Sequence, residues 1–339
     1  MTETKVAIGL AGAGLIGKAH ILRLGRAGNA RLAAIADPAP HAKALAAEHG
    51  VRCHDDLATM LAAEKLDGVI VATPNAMHAD QALSCIERGI PVLIEKPLAE
   101  TLANAERIVE AAERRRVPVL VGHHRRHNPI LQAARATVKQ GELGRIATAS
   151  AFACFLKPDS YFDTAWRREP GGGPVLINLI HVIDDLRFIL GEIAEIKAMG
   201  SRALRGFPVE DSGAAILRFE SGALGTIALS DAAAAPWSWE HTSGENAAFP
   251  KTDEDCYLIA GTHGSLAVPS LRRWGYEGER SWTVPLSAFR MGVEHADPLD
   301  RQVAHFARVI RGEAEPIITA ADAFRTLAAT LEVHGQVNG

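Results

Sequence analysis

The stretch that most constrains this chain is GAGLIG, in which Gly12, Gly14 and Gly17 follow the apolar run KVAIGLAG. The run reads as a buried strand, and residues from about Ile16 to Arg26 read as a helix, so the glycines occupy a strand-to-helix turn. Glycine there lets the backbone turn tightly. It also lets a pyrophosphate approach the N–H groups that open the helix, those of Leu15 and Ile16 among them. Asp37 lies 20 residues past Gly17, at the end of the next strand, RLAAIAD. A carboxylate at that point accepts hydrogen bonds from the adenosine ribose hydroxyls. The alternative, a tight turn without a ligand, explains the glycines but not the placement of Asp37. A carboxylate repels a 2′-phosphate, and DPAPH brings no arginine or lysine beside it. NAD is therefore expected in preference to NADP.

The same rhythm fills the first third of the chain. DGVIVATP, IPVLIEKP and VPVLVG read as short apolar strands, separated by amphipathic helices such as DDLATMLAAE, with Asp55 as its cap, and TLANAERIVEAAERRR. Strands alternating with helices form βαβ units, hence a parallel sheet covered on both faces. The rhythm changes near residue 123. Longer alternating stretches follow, with FESGALGT as a hairpin carrying Ser221 and Gly222 at its tip, and one helix, PVLINLIHVIDDLRFILG, lies among them. That pattern suggests an α+β domain with an open, mostly antiparallel or mixed sheet. Residues 232–255 have no clear period and read as a long loop of the lid or binding kind. Two helices end the chain. The expected division is residues 1–124 for the dinucleotide and 125–339 for substrate and self-association.

The 339 residues suit two domains. With 36 basic and 40 acidic residues the net charge is −4, and the strongest basic run, ERRR at 113–116, reads as a solvated helix end. This argues against a nucleic-acid partner. Four scattered cysteines without a CxxC pair fit a reducing compartment, and no apolar stretch approaches membrane-spanning length. A cytoplasmic protein with no membrane partner is expected.

In doubly wound sheets, ligands lie outside the carboxyl ends of the strands. Thr73, Pro74, Asn75 and His78 fall there, as do Glu95 and Lys96, then His123 and His124. In VLIEKP the two charges close an apolar strand, and Pro97 stops it. Either they face the nicotinamide half of the cofactor or they form a structural ion pair at a strand end. His123, His124 and His127 lack a carboxylate or cysteine to complete a ligand set, so no metal is expected.

Four segments together, GAGLIGKAH, ATPNAMH, EKP and GGGPVLINLIHVID, resemble those of the Gfo/Idh/MocA oxidoreductases, in this order and over nearly the whole chain. The resemblance implies an N-terminal Rossmann domain and a C-terminal α/β domain whose open sheet builds a homodimer or homotetramer. It implies hydride transfer between NAD(P) and a hydroxyl of a sugar, cyclitol or similar polyol. Lys96 matches the family's catalytic lysine, and Glu95 would face the nicotinamide ribose. Pro97 fixes the backbone after Lys96, its isomer unspecified by sequence. His181 matches the family's histidine, a proton acceptor near neutral pH; from the residues alone it reads as a packing histidine on an apolar helix. Many members carry an aspartate four residues before this histidine. Here Ile177 holds that place and Asn178 follows it. On an α-helix Asn178 lies on the His181 side and can orient substrate, but it cannot transfer a proton as a carboxylate does.

Arg126 is a candidate for a substrate carboxylate, or else pairs with a surface carboxylate. Trp166, Arg168, Trp237 and Trp239 are candidates for the substrate wall, or else pack within their loops. Three functions remain open: a dehydrogenase of polyols or of a dihydrodiol, an NAD-dependent glycosidase, and a dinucleotide-sensing regulator.

Overall fold

The computed structural model describes residues 4–339. Six strands, β1 (Val6–Ala11), β2 (Ala30–Ala36), β3 (Arg52–His54), β4 (Gly68–Val71), β5 (Val92–Ile94) and β6 (Val119–Val121), form a parallel sheet. Their order is β3-β2-β1-β4-β5-β6, with the reversal between β1 and β4. Every residue of β1, β4, β5 and β6 is buried, as expected of strands covered on both faces. The intervening helices are α1 (Leu15–Arg26), α2 (Pro40–Glu48), α3 (Leu57–Ala63), α4 (His78–Glu87) and α5 (Leu102–Arg115). The cap of α3 is Asp56 rather than Asp55: its carboxylate accepts from Thr59 N at 2.7 Å, three residues on, which is the reach an N-cap requires. Arg114 and Arg115 lie in the last turn of α5, where cations complement the helix dipole.

The remaining elements are α6 (Pro129–Lys139), β7 (Ile146–Cys154), α7 (Ile180–Leu190), β8 (Ile193–Ser201), β9 (Ser212–Phe219), β10 (Leu224–Ser230), α8 (Trp239–Thr242), β11 (Tyr257–Gly261), β12 (Gly264–Val268), β13 (Arg272–Gly275), β14 (Ser287–Arg290), α9 (Pro298–Ile310) and α10 (Ala320–Asn338). Eight strands form a second sheet in the order β14-β13-β12-β11-β7-β10-β9-β8. Only the β7–β10 pair is parallel. The β9–β10 hairpin turns where expected, with Gly222 at φ +86°. Helix α7 covers the inner face, and its Asp185 accepts from the Tyr257 hydroxyl of β11 at 2.7 Å.

Two compact units result. One comprises Met1–His127 with Ala296–Leu327, the other Asn128–His295 with Ala328–Gly339. The first crossing lies three residues past the expected boundary at 124. The return of the chain to the first unit was not foreseen. Its cause is the apolar face of α9, where Val303, Phe306 and Ala307 are buried and Ile310 packs on Gly68 of β4. Val121 N donates to Ile318 O at 3.3 Å, so the returning segment also pairs with the sheet edge at β6.

The return brings His305 of α9 against His127. Glu315 O can only accept, so His305 Nε2 donates to it at 2.9 Å. His305 Nδ1 then accepts from His127 Nε2 at 2.9 Å. Burial, with the charges of His305, His124 and Arg301, pushes the His127 ring down to about 3. A histidine depressed in the folded state stays neutral while the unfolded chain takes up a proton near pH 6.5, so stability falls as pH drops below that value. From pH 7.5 to 5 the His127 contribution to this loss is about 2 kcal/mol. Urea denaturation of wild type and His127→Gln checks it: the variant should show the shallower decline over that range, and equal slopes would refute the assignment.

Candidate active site

In the first unit, the turn after β1 shows why three glycines recur. Gly12 has φ +90°, and a Cβ there would stand 2.5 Å from Ala72 O. A Cβ on Gly17 would stand 2.1 Å from Gly12 O, whereas one on Gly14 would meet nothing within 4 Å. Two glycines thus serve the backbone's own close approach, and the third leaves the approach to the helix clear. No side chain caps Gly14, and the first turn of α1 has no acidic residue. The first intrahelical bond is Lys18 N to Gly14 O, 3.0 Å. The N–H groups of Leu15, Ile16 and Gly17 therefore have no acceptor within the helix, and this cradle fits a pyrophosphate. Asp37 accepts from Ala13 N at 2.7 Å and Ala39 N at 2.8 Å. These bonds fix the carboxylate at the β2 end and leave it acceptor capacity for ribose hydroxyls.

Beyond β4, Pro74 and Asn75 are exposed, and Thr73 Oγ1 donates to Gln81 Oε1 at 2.7 Å. His78 is buried. Its ring nitrogens lie 2.8 Å from Pro97 O and 2.9 Å from Thr73 O. Its place is a tie beneath the surface, between the β4 loop and the turn that carries Lys96. The Lys96–Pro97 peptide is cis, and Lys96 is half-buried.

Glu95 is buried at the end of β5, with its own N–H still in the ladder to Val71 O at 2.9 Å. Its Oε1 accepts from His20 Nε2 at 2.7 Å, and its Oε2 lies 3.3 Å from Lys96 N. A Cβ on Gly122 would press on this carboxyl at 2.8 Å. Burial raises the carboxyl, but the His20 hydrogen bond and the charges of His20, His124 and Lys96 together hold it below the ordinary range. His20 was missed in the sequence. The available signal was its position on the buried stripe of α1, with Gly17, Ile21 and Leu24. Arg126, in the same unit, does not present its charge to solvent: it is 3% exposed, and its guanidinium is ion-paired with Asp322. The pair meets the need of a buried cation for a counter-charge, which favours the structural reading of this arginine.

In the second unit, the helix expected around His181 begins differently. Val175–Leu179 is a π-helical turn, and α7 starts only at Ile180. The α-helical spacing used to place Asn178 beside His181 therefore does not hold across this turn. Asn178 is half-buried, and its Oδ1 is buried without a hydrogen-bond partner among the described residues; His181 is 8% exposed. The turn is clamped at its start. Glu210 Oε1 accepts from Val175 N at 3.0 Å, and Glu210 Oε2 accepts from Asn338 Nδ2 at 2.9 Å. A Cβ on Gly173 would come within 2.2 Å of Glu210, and one on Gly172 within 2.2 Å of Trp166 O. Trp166, Arg168 and Trp237 are exposed. Trp239 is not: it is 2% exposed, stacked on Tyr257, and donates from Nε1 to Glu245 at 3.1 Å. An indole so enclosed is a core group, not a wall for a ligand.

Residues 6–123 match the profile of the oxidoreductase family with an NAD-binding Rossmann fold, and residues 131–267 match the GFO/IDH/MocA C-terminal domain. Among relatives, 1,5-anhydro-D-fructose reductase of Ensifer adhaerens is 29% identical over 96% of this chain and 94% of its own. Inositol 2-dehydrogenase 4 of Saccharopolyspora erythraea is 34% identical over 63% of this chain and 62% of its own. The crystal structure of the WlbA dehydrogenase of Bordetella pertussis, in complex with NADH and UDP-GlcNAcA, superposes with a TM-score of 0.78 at 26% identity, covering 98% of this chain and 96% of that one. The glycine cradle, the Asp37 carboxylate and two matched domains in sequence make this chain a member of the GFO/IDH/MocA oxidoreductase family.

Proposed function

We propose that the protein is an NAD-dependent dehydrogenase acting on a secondary hydroxyl of a sugar, cyclitol or related polyol, or of a dihydrodiol. The observation that carries this reading is Lys96, half-buried just past the end of β5 and next in the chain to a buried Glu95 whose carboxyl is held below its ordinary range. The reaction oxidises a secondary alcohol to a ketone: the carbinol carbon gives a hydride to NAD+, which becomes NADH, and the hydroxyl gives up a proton. A nicotinamide ring supplies the hydride acceptor when bound. Lys96 donates a hydrogen bond to the carbinol oxygen and stabilises the alkoxide character that grows as hydride leaves. His181 takes the hydroxyl proton, and Asn178 orients the substrate through its amide. Ile177 in place of a carboxylate leaves the proton to His181 alone.

Asp37, with no arginine or lysine between residues 38 and 42, supports NAD over NADP. The exposed faces of Trp166 and Trp237 suit the C–H side of a sugar ring, with Arg168 close to Trp166 in sequence. Relatives named for anhydro-fructose and inositol, and a structural neighbour bound to UDP-GlcNAcA, support the substrate class. On the open face of the second sheet, Met199, Ile216, Leu224 and Leu258 are exposed, in keeping with a homodimer or homotetramer formed there.

A polyol panel with NAD tests the reading. NADH absorbance should appear with at least one polyol, and His181→Ala should lower that rate by about 10²–10⁴-fold. Wild-type turnover in this variant would remove His181 from the mechanism. Cleavage of a nitrophenyl glycoside without net NADH would establish the glycosidase instead, and tight NAD binding with neither reaction would establish the regulator.

A further inference from the structure

The His20–Glu95 pair lies in the first unit, behind Lys96, and no step above uses its charge. Glu95 is held from three sides. Its backbone is in the ladder to Val71, its carboxyl meets Gly122, and its Oε1 accepts from a histidine that is 0% exposed. A carboxylate only accepts, so the His20 proton sits on Nε2. Among the described residues, His20 Nδ1 is buried with no hydrogen-bond partner, so Glu95 is the only acceptor that fixes this ring. The sheet end at β5 thus presents a fixed carboxylate next to the Lys96 ammonium.

Strand order decides what that carboxylate faces. Asp37 stands at the end of β2, on one side of the β1/β4 reversal, and Glu95 stands at the end of β5, on the other. A dinucleotide laid across the reversal with its adenosine half at Asp37 puts its nicotinamide half over β4, β5 and β6. The oxidised ring is a cation and the reduced ring is neutral. Without Glu95, the Lys96 ammonium would meet the oxidised ring with no counter-charge from this strand.

We infer that Glu95 is the fixed counter-charge for the oxidised nicotinamide, that His20 is its positioning residue, and that the pair makes this enzyme favour NAD+ over NADH. The inference rests on the dinucleotide reading of the first unit and deepens it. It also assigns the polar group on the buried stripe of α1: the helix that cradles the pyrophosphate holds, through His20, the carboxylate that balances the ring charge.

The experiment is calorimetric titration of the full chain with NAD+ and with NADH. Wild type should bind both. Glu95→Gln keeps the shape of the side chain and removes its charge. It should raise Kd for NAD+ by about tenfold while Kd for NADH stays within about twofold. A tenfold change in that ratio raises the potential of the bound couple by about 30 mV. A purely structural role would weaken both forms alike, so an unchanged ratio in a folded variant overturns the inference and leaves the dinucleotide reading standing. If Glu95→Gln does not fold, the double variant His20→Gln/Glu95→Gln retains an N–H to oxygen bond without the charge, and the same ratio decides. Failure of wild type to bind either form overturns the dinucleotide reading and the inference together.

Discussion

Lys96→Ala is expected to lower kcat and kcat/KM together by about 10³-fold with the best polyol, while Kd for NAD changes by less than about threefold. The equal fall in both parameters is the point of the test. The ammonium is asked to do more for the transition state than for the ground state, since negative charge on the carbinol oxygen develops only as hydride departs. Loss of uniform binding would instead raise KM and spare kcat. Lys96→Arg should recover little. A guanidinium is a planar fork and cannot place a compact charge where the ammonium stood. Retention of wild-type kcat in Lys96→Ala would end the proposed chemistry. Circular dichroism on the same samples would exclude unfolding as the cause.

The second large effect concerns the glycine turn, where two neighbouring substitutions should part company. Gly12→Ala meets Ala72 O at 2.5 Å, Ala72 C at 2.7 Å and Thr73 N at 2.8 Å, from a backbone at φ +90°. All three atoms are main chain at the end of β4, a strand paired on both sides, so little can yield. Overpacking and left-handed strain together cost about 3–5 kcal/mol, a large share of a typical stability. The melting temperature should fall by roughly 10–15 °C. Gly14→Ala has nothing within 4 Å to strike. It should melt near wild type yet bind NAD at least about tenfold more weakly, because its methyl occupies the pyrophosphate approach. Scanning calorimetry with NAD titration checks both; equal thermal effects in the two variants would contradict the packing described for the turn.

What the sequence revealed, and what it did not, follows the range of each interaction. The parallel sheet was legible because strand, glycine turn and helix are local patterns, each set by residues a few positions apart. The hairpin at Ser221 and Gly222 was legible for the same reason. The His20–Glu95 bond joins residues 75 apart, and the Arg126–Asp322 pair joins residues 196 apart. Both depend on which helix lies over which strand end, and no spacing rule states that. The return of α9 was misplaced because its apolar stripe declares that it packs, not on what. The π-helical turn at Val175–Leu179 was invisible because a shift of hydrogen-bond register leaves the apolar pattern almost unchanged. It was also the one place where a correct local rule, applied to Asn178 and His181, met a backbone that did not obey it.

The discontinuity of the first unit bears on how the protein is made. Synthesis delivers β1 to β6 early, yet α9, whose Val303, Phe306 and Ala307 complete that core, emerges only after the whole second sheet. Until then the nascent half keeps an uncovered apolar flank and a bare strand edge at β6, the surfaces that chaperones hold. The nucleotide-binding half thus waits for residues made after the whole second sheet, and the second half in turn waits for Ala328–Gly339, so neither can be finished alone while the other is still being made.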